Sequence, residues 1–397
     1  MSSYSELYIG NYPVLSGRNG YYEDVVNLLF LEDDYVKEKR LLKLRNDLTW
    51  GESYKGEKGY FTFKGFQQNI KICKKRLEIN GYCLRKAKKY FNESLKILKE
   101  NQWFDKSIIE NISFDVYLNE IRYIISNKIT KKKSNNKTFR GYIINSNLIL
   151  EEMPIIDGIY CILCALDDNE YLEYDLTDII RGGWVFGDLK KQLQTDRILI
   201  LTEGKTDTEF ISQSIKILYP ELAGLYHFVD YHTSKIEGSA SSLVKIIKAF
   251  NGAQIEKRII ALFDFDAAAE NELFNLKGIK LPWNIKIVKY PKIDLALKYP
   301  TIGPNGKKQM NINGKACSIE LYLGIKILRE KNRFIPIQWK AYQDKAKKYQ
   351  GEIMNKNLIH ERFRKKVKNF ELEKFEKKEW ANMDLLINNI FKCFECN

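Results

Sequence analysis

The chain has 397 residues, 44% hydrophobic and 13% aromatic, enough for two or three domains with buried cores and too apolar for global disorder. The formal net charge is +14, a sign that favours a polyanionic partner. No apolar run reaches the ~18 residues that span a bilayer, and the opening MSSYSELYIGNYP lacks a basic head followed by an apolar stretch. A membrane partner and a secretory leader are therefore not expected, and a cytoplasmic location is.

Residues 22 to about 127 read mainly as helices. In FQQNIKICKKRLEI the apolar Phe66, Ile70, Cys73 and Leu77 recur at helical spacing, Gly81 supplies a stop, and LRKAKKYFNESLKILKE resumes the pattern. The polar run from Lys131 to Lys137 reads as an exposed loop. GYIINSNLIL, IIDGIYCILCAL and EYLEYDL then read as strands, broken by Gly182 and Gly183. A boundary is expected between Lys190 and Asp196, closing a mainly helical α+β amino-terminal domain over residues 1–190.

Beyond Asp196 the texture changes to strand–helix alternation. RILILT, YHFVDYH, RIIALFDFD and IKIVKYP are the strands. DTEFISQSIKIL, SASSLVKIIKAF (with Ser239 as its cap) and AAAENELFNL are the helices. Such alternation predicts an α/β fold, a parallel sheet flanked by helices, with ligands at the carboxyl ends of the strands. The expected catalytic domain spans residues 196–330. Residues 331–397 are expected to form a basic helical extension that completes the site; from Lys326 to Lys378 there are 17 Lys or Arg against 7 Asp or Glu. A solvated Lys-rich face explains that surplus as well as a phosphate-binding surface does.

Acids stand where the strand-end rule puts ligands. Glu203 follows the first strand in TEGKTD, Gly204 leaves the backbone free to turn, and Asp207 falls in the next helix's first turn. Asp264 and Asp266 close the third strand as DFD, two residues apart and so on one side of it. Each acid alone could merely cap a helix; together, crowded carboxylates need a cation. Oxygen donors with no His or Cys beside them select Mg2+ or Mn2+ over zinc.

EGKTD after one apolar strand and FDFDAAA after another resemble the Toprim signature of topoisomerases, bacterial primases, recombination mediators and OLD-type nucleases. The opening SYSELYIGNYPVLSGRNGYY, KKRLEINGYCLRKAKKYF and YDLTDIIRGGW are similar to the HEPN/Toprim amino-terminal domain found joined to Toprim nucleases. Phe265 departs from the FDND common at the second motif; both aspartates are kept. The resemblance implies that Glu203 is a metal ligand or acid–base group and that Asp264 and Asp266 hold metal. It implies a further acid, matched by Ser318 and Glu320 in KACSIELYLG, although Ser318 as an N-cap with Glu320 in the first turn is the plainer reading. It implies a catalytic lysine, matched by Lys356, with Lys365 and Lys366 as rivals.

The expectation is a divalent-metal-dependent endonuclease acting on nucleic acid, DNA rather than RNA, in anti-phage defence. Glu203 and Asp207 would serve one ion; Asp264, Asp266 and Glu320 would serve another. The alternatives are a non-catalytic Toprim scaffold that binds nucleic acid and a topoisomerase or primase. With no GxxxxGK[ST] in the chain, ATP hydrolysis would fall to a partner, either a separate ATPase or another defence protein, and a homo-oligomer is expected. HEPN ribonucleases rely on an Arg with a nearby His, whereas His227, His232 and His360 all lie outside the amino-terminal half. His227 and His232 flank a strand and read as structural. Two CxxC pairs, Cys161/Cys164 and Cys393/Cys396, leave a shared zinc open but read better as structural thiols, and seven scattered cysteines do not suit a secreted scaffold.

Overall fold

The computed structural model describes residues 3–10, 12–42, 59–129, 137–185, 197–229, 238–304, 306–371 and 375–396. The chain divides into two compact units, residues 1–195 with 394–397, and residues 196–393.

In the first unit five antiparallel strands form a sheet: β1 (Tyr4–Ile9), β2 (Tyr12–Arg18), β3 (Tyr35–Leu41), β4 (Tyr60–Asn69) and β5 (Tyr171–Asp175), in the order β2-β1-β5-β4-β3. Among the described residues seven helices accompany it: α1 (Glu23–Leu29), α2 (Ile70–Ile79), α3 (Leu84–Glu100), α4 (Phe114–Ser126), α5 (Phe139–Asn145), α6 (Ile155–Ala165) and α7 (Thr177–Arg181). Gly81, at φ 86°, follows the last turn of α2 in a conformation that a side chain disfavours, so the predicted stop is met.

Three readings of this half are corrected. The stretch from residue 22 to 127 also holds the β3–β4 pair, whose residues alternate too weakly in polarity to stand out between helices. The start of GYIINSNLIL is helix α5, capped by Thr138 through the Gly141 amide at 3.1 Å, and IIDGIYCILCAL is helix α6. In α6 eight of eleven residues are buried, so nearly the whole surface is apolar and no 3.6-residue stripe is visible in the sequence. Most of the KKKSNNK run lies outside the described residues.

The second unit is built on a parallel sheet, β10 (Ile285–Lys289), β8 (Ile259–Phe263), β6 (Ile198–Leu201) and β7 (Tyr226–Phe228), in the order β10-β8-β6-β7. Helices α8 (Lys205–Leu218), α9 (Pro220–Ala223), α10 (Ala240–Gly252) and α11 (Ala267–Leu273) accompany these strands. This is a mixed α/β unit, with the predicted Ser239 cap in place: its hydroxyl accepts from the Ser242 amide at 3.1 Å. Strand β8 is buried along its whole length, as a central parallel strand must be. His232 lies outside the described residues, and His227 sits within β7.

RIIALFDFD is not one continuous strand. β8 ends at Phe263, and Phe265–Asp266 form β9, antiparallel to β13 (Ala316–Cys317). A second sheet, ordered β12-β11-β16-β17, contains β11 (Tyr299–Gly303), β12 (Gly306–Met310), β16 (Ile337–Gln343) and β17 (Lys348–Ile353), and β14 (Arg329–Glu330) pairs with β15 (Arg333–Phe334). Residues 331–397 are therefore not a wholly helical extension. Their first third is strand, and among the described residues α12 (Lys356–Lys368) and α13 (Ala381–Phe391) match the expectation. The helix-friendly Lys, Gln and Ala of KAYQDKAKKYQ hide the hairpin, whose strands are held by pairing from Ile337↔Ile353 to Gln343↔Lys348. Among the described residues no helix is long and apolar enough to cross a membrane.

Candidate active site

Strand β6 delivers Thr202 and Glu203 at its carboxyl end. Thr202 Oγ1 donates to the Gly204 carbonyl at 2.8 Å and lies 2.8 Å from Thr208 Oγ1, which tightens the turn into α8. Gly204 itself has ordinary extended geometry, φ −160°. The glycine that the turn requires is Gly238: a Cβ there would lie 2.6 Å from the Glu203 carbonyl oxygen and 2.9 Å from Gly204 Cα, so only a bare backbone can lie against the Glu203 loop.

Glu203 Oε1 accepts from the Asp264 amide at 2.8 Å, which ties the end of β6 to the end of β8. Asp207, in the first turn of α8 and 7% exposed, accepts from the Tyr290 hydroxyl at 2.7 Å. Tyr290 directly follows β10 and is fixed by its own amide bond to the Phe263 carbonyl, 2.9 Å. Asp266 caps α11: Oδ1 accepts from the Ala269 amide at 2.8 Å and Oδ2 from Gln350 Nε2 at 2.6 Å. Gln350 Oε1 in turn accepts from the Ala268 amide at 2.9 Å. The capping role weighed for these acids is thus real for Asp266, and it leaves that residue within the charge cluster.

The 3-10 turn Ile319–Tyr322 brings Glu320, 3% exposed. Ser318 stands at the cap position but makes no side-chain cap; its hydroxyl donates to Glu320 Oε2 instead, which corrects the capping reading. The other Glu320 oxygen lies 2.8 Å from His360 Nε2. His360 and Lys356 share one face of α12, which packs on α8 through Phe210 against the His360 ring at 5.1 Å and Phe363 at 4.8 Å. A two-pronged bond from Arg364 to Glu209, 2.7 and 2.8 Å, joins the same helices. Lys356 Nζ is 2.8 Å from Glu352 Oε1 and about one-third exposed. Its rival Lys366 is occupied elsewhere, donating to the Leu323 and Glu379 carbonyls over the Trp380 ring.

The electrostatics follow from this crowding. Burial, and then the charge of Asp266, push the Glu203 carboxyl well above the usual range. Burial, followed by Glu203, Asp207, Asp266 and Glu320, does the same to Asp264. Asp207 rises to about 6 through burial, restrained by the Tyr290 hydroxyl, with Glu320 pushing it up and Lys356 down. Burial also raises Asp266, against the Ala269 amide and Gln350. Burial pushes Glu320 up too, but His360, Lys356 and Ser318 outweigh it and hold this acid below its ordinary value. Lys356 is raised: burial opposes its charge, and Glu320, Glu352 and Asp264 more than compensate.

The structure thus brings Glu203, Asp207, Asp264, Asp266, Glu320 and Lys356 into one electrostatic neighbourhood, with Ser318 bonded to one of them. Sequence reading missed Tyr290, Gln350 and the role of His360; Tyr290, directly after an apolar strand, carried the only positional signal.

Among the described residues no three His, Cys, Asp or Glu side chains already converge to hold one ion; Glu203, Asp207, Asp266 and Glu320 are each drawn to a donor of their own. The donor chemistry nevertheless fits a hard divalent cation. Asp264 Oδ1 is buried with no hydrogen-bond partner, in a cluster whose carboxylates raise one another's pKa. The two CxxC pairs supply no shared site, since Cys161 is buried in α6 and Cys396 is bonded to Cys83. The expectation of no cysteine beside the acids is corrected by Cys317, paired with Phe265, its thiol pKa pushed up by burial and then by Asp264 and Asp266.

The comparison with known families bears on the first unit. Residues 1–197 match the model of HEPN/Toprim N-terminal domain 1. That match ends before the first of the site acids, Glu203. No curated protein and no solved structure matches the chain.

Proposed function

We propose that the second unit is a Toprim-type catalytic domain and that the chain is a divalent-metal-dependent endonuclease cutting phosphodiester bonds, with DNA as substrate. The observation that carries this reading is the buried, partnerless Asp264 Oδ1 inside a ring of Glu203, Asp207, Asp266 and Glu320 at the carboxyl edge of a parallel sheet. The match of residues 1–197 to a HEPN/Toprim amino-terminal domain supports it independently.

Glu203 and Asp207 would hold one Mg2+ or Mn2+, and Asp264, Asp266 and Glu320 a second. Such ions, when bound, supply an activated water and neutralise charge on phosphate oxygens. The chain's own residues do the rest. Tyr290 and Gln350 set the orientation of Asp207 and Asp266. The His360 ring and Ser318 hydroxyl fix Glu320. Lys356, kept charged by its acidic neighbours and still partly open to solvent, would stabilise negative charge on the cleaved phosphate. A homo-oligomer, a partner ATPase and a place in anti-phage defence belong to the same reading.

The test is incubation of the full chain with supercoiled, linear and single-stranded DNA in Mg2+, Mn2+ or EDTA, beside Asp264→Asn. Metal-dependent nicking that Asp264→Asn abolishes is expected; equal cutting by the variant would refute the assignment. Among the described residues no three acids already converge on one point, and the second reading is a nucleic-acid-binding scaffold without catalysis. Retarded but intact DNA in every metal would select it. A covalent protein–DNA adduct would instead point to a topoisomerase, and nucleotide incorporation to a primase.

A further inference from the structure

We infer that the β16–β17 hairpin seats a single strand of DNA, with unpaired bases stacked on Tyr342 and Tyr349. This rests on the nuclease reading for its meaning and on the hairpin's own surface for its support. Tyr342 and Tyr349 are register partners in the ribbon, their ring centroids 5.1 Å apart and edge to face. They are 49% and 61% exposed. Rings of this size normally bury most of their area, and here the hairpin buries neither.

Around the rings the charge is positive. From Lys340 to Lys348 the chain has four lysines and one acid, Asp344. Lys348 is taken by Glu270 at 2.7 Å. Among the described residues Lys340 and Lys345 donate their ammonium groups to neutral amides, Gln338 Oε1 at 3.4 Å and Asn275 Oδ1 at 2.8 Å, so their charges remain available to phosphate. Lys347 is exposed at the turn. Aromatic faces for bases, interleaved with cations for the backbone, are the chemistry of single-strand recognition. A duplex hides its base faces and can use only the lysines.

Gln350, whose amide holds Asp266, is the residue after Tyr349, and consecutive Cα atoms are about 3.8 Å apart. Residues adjacent in a strand face opposite sides, so the rings and the amide that holds Asp266 lie on the two faces of β17, and the inferred substrate class is DNA with unpaired bases.

The experiment measures binding, by fluorescence anisotropy, of the full chain carrying Asp264→Asn, in EDTA, to a labelled polypyrimidine DNA strand, its duplex and the matching RNA. Tyr342→Ala with Tyr349→Ala should weaken single-strand DNA binding about tenfold or more, while the paired Phe substitutions and the duplex change less than about twofold. Undiminished single-strand binding by the Ala pair would overturn the inference, as would equal weakening on the duplex or a ring effect confined to RNA. Cutting is blocked throughout, so the ring result stands whether or not the unsubstituted protein is a nuclease. DNA cutting without a ring effect would sink only this inference.

Discussion

Replacing Asp207 by Asn should make the metal-free protein more stable, and only above a definite pH. The Asp207 carboxyl is pushed from 3.8 to about 6, chiefly by burial, with Glu320 adding repulsion that Lys356 partly offsets. A shift of about two units corresponds to roughly 3 kcal/mol of disfavoured ionisation. Asn keeps an oxygen that can accept from the Tyr290 hydroxyl and carries no charge. The sign follows from linkage. Below 3.8 the group is protonated in both folded and unfolded chains, and the two proteins should be equally stable. Between 3.8 and about 6 the folded protein retains a proton that the unfolded one has lost, so the unsubstituted protein loses stability as pH rises; above about 6 the deficit is constant. For a domain near 200 residues, each kcal/mol moves Tm by roughly 2–4 °C, so Asp207→Asn should melt about 6–12 °C higher at pH 8 and level with its parent near pH 4. The assay is thermal melting of the full chain in EDTA across that range, repeated with Mg2+. The ion should raise the parent's Tm more than the variant's. A Tm difference that is flat with pH, or a variant less stable at pH 8, would refute the reasoning.

Three further outcomes are expected. His360→Ala leaves one oxygen of the 3%-exposed Glu320 without its partner and should cost about 1–3 kcal/mol in EDTA, read as a lowered unfolding midpoint, with His360→Gln recovering part of it. Gln350→Ala removes the bonds to both Asp266 and the Ala268 amide and should likewise cost about 1–3 kcal/mol; if Asp266 is held mainly by its α11 cap, the midpoint will not move. Lys356→Met removes a charge that lowers the pKa of Asp207, Asp266 and Glu320, so the acid limb of a pH–rate profile for cutting should move to higher pH, whereas Lys356→Arg should leave the limb in place.

The acidic cluster of the candidate site was more legible in the sequence than the surrounding fold. Glu203, Asp207, Asp264 and Asp266 announce themselves because strand ends are marked by apolar runs, and a parallel sheet gathers its strand ends on one side. Tyr290 occupies the same kind of position after β10, but a tyrosine beside an apolar run looks like core. Gln350 and His360 reach the site from β17 and α12, elements whose composition is lysine-rich and says nothing about where they pack. Helix α6 was unreadable for the opposite reason: buried nearly all round, it shows no polar face from which to take a period. Each miss is a case in which tertiary contact, rather than local pattern, decides the outcome.

The hydrogen-bond partners explain why the acids do not already converge. Glu203 is held by the Asp264 amide, Asp207 by Tyr290, Asp266 by the α11 amides and Gln350, and Glu320 by Ser318 and His360. Each donor stabilises its acid and at the same time holds it away from its neighbours, as repulsion in a buried cluster favours. Asp264 is the exception: its Oδ1 is buried without a donor, and four other acids push its pKa up. Any cation that enters must compete with the donors at the first four acids but with none at Asp264 Oδ1. Metal affinity should therefore depend on the strength of the donor set, and loss of Asp264 should remove the one ligand atom that costs no hydrogen bond to recruit.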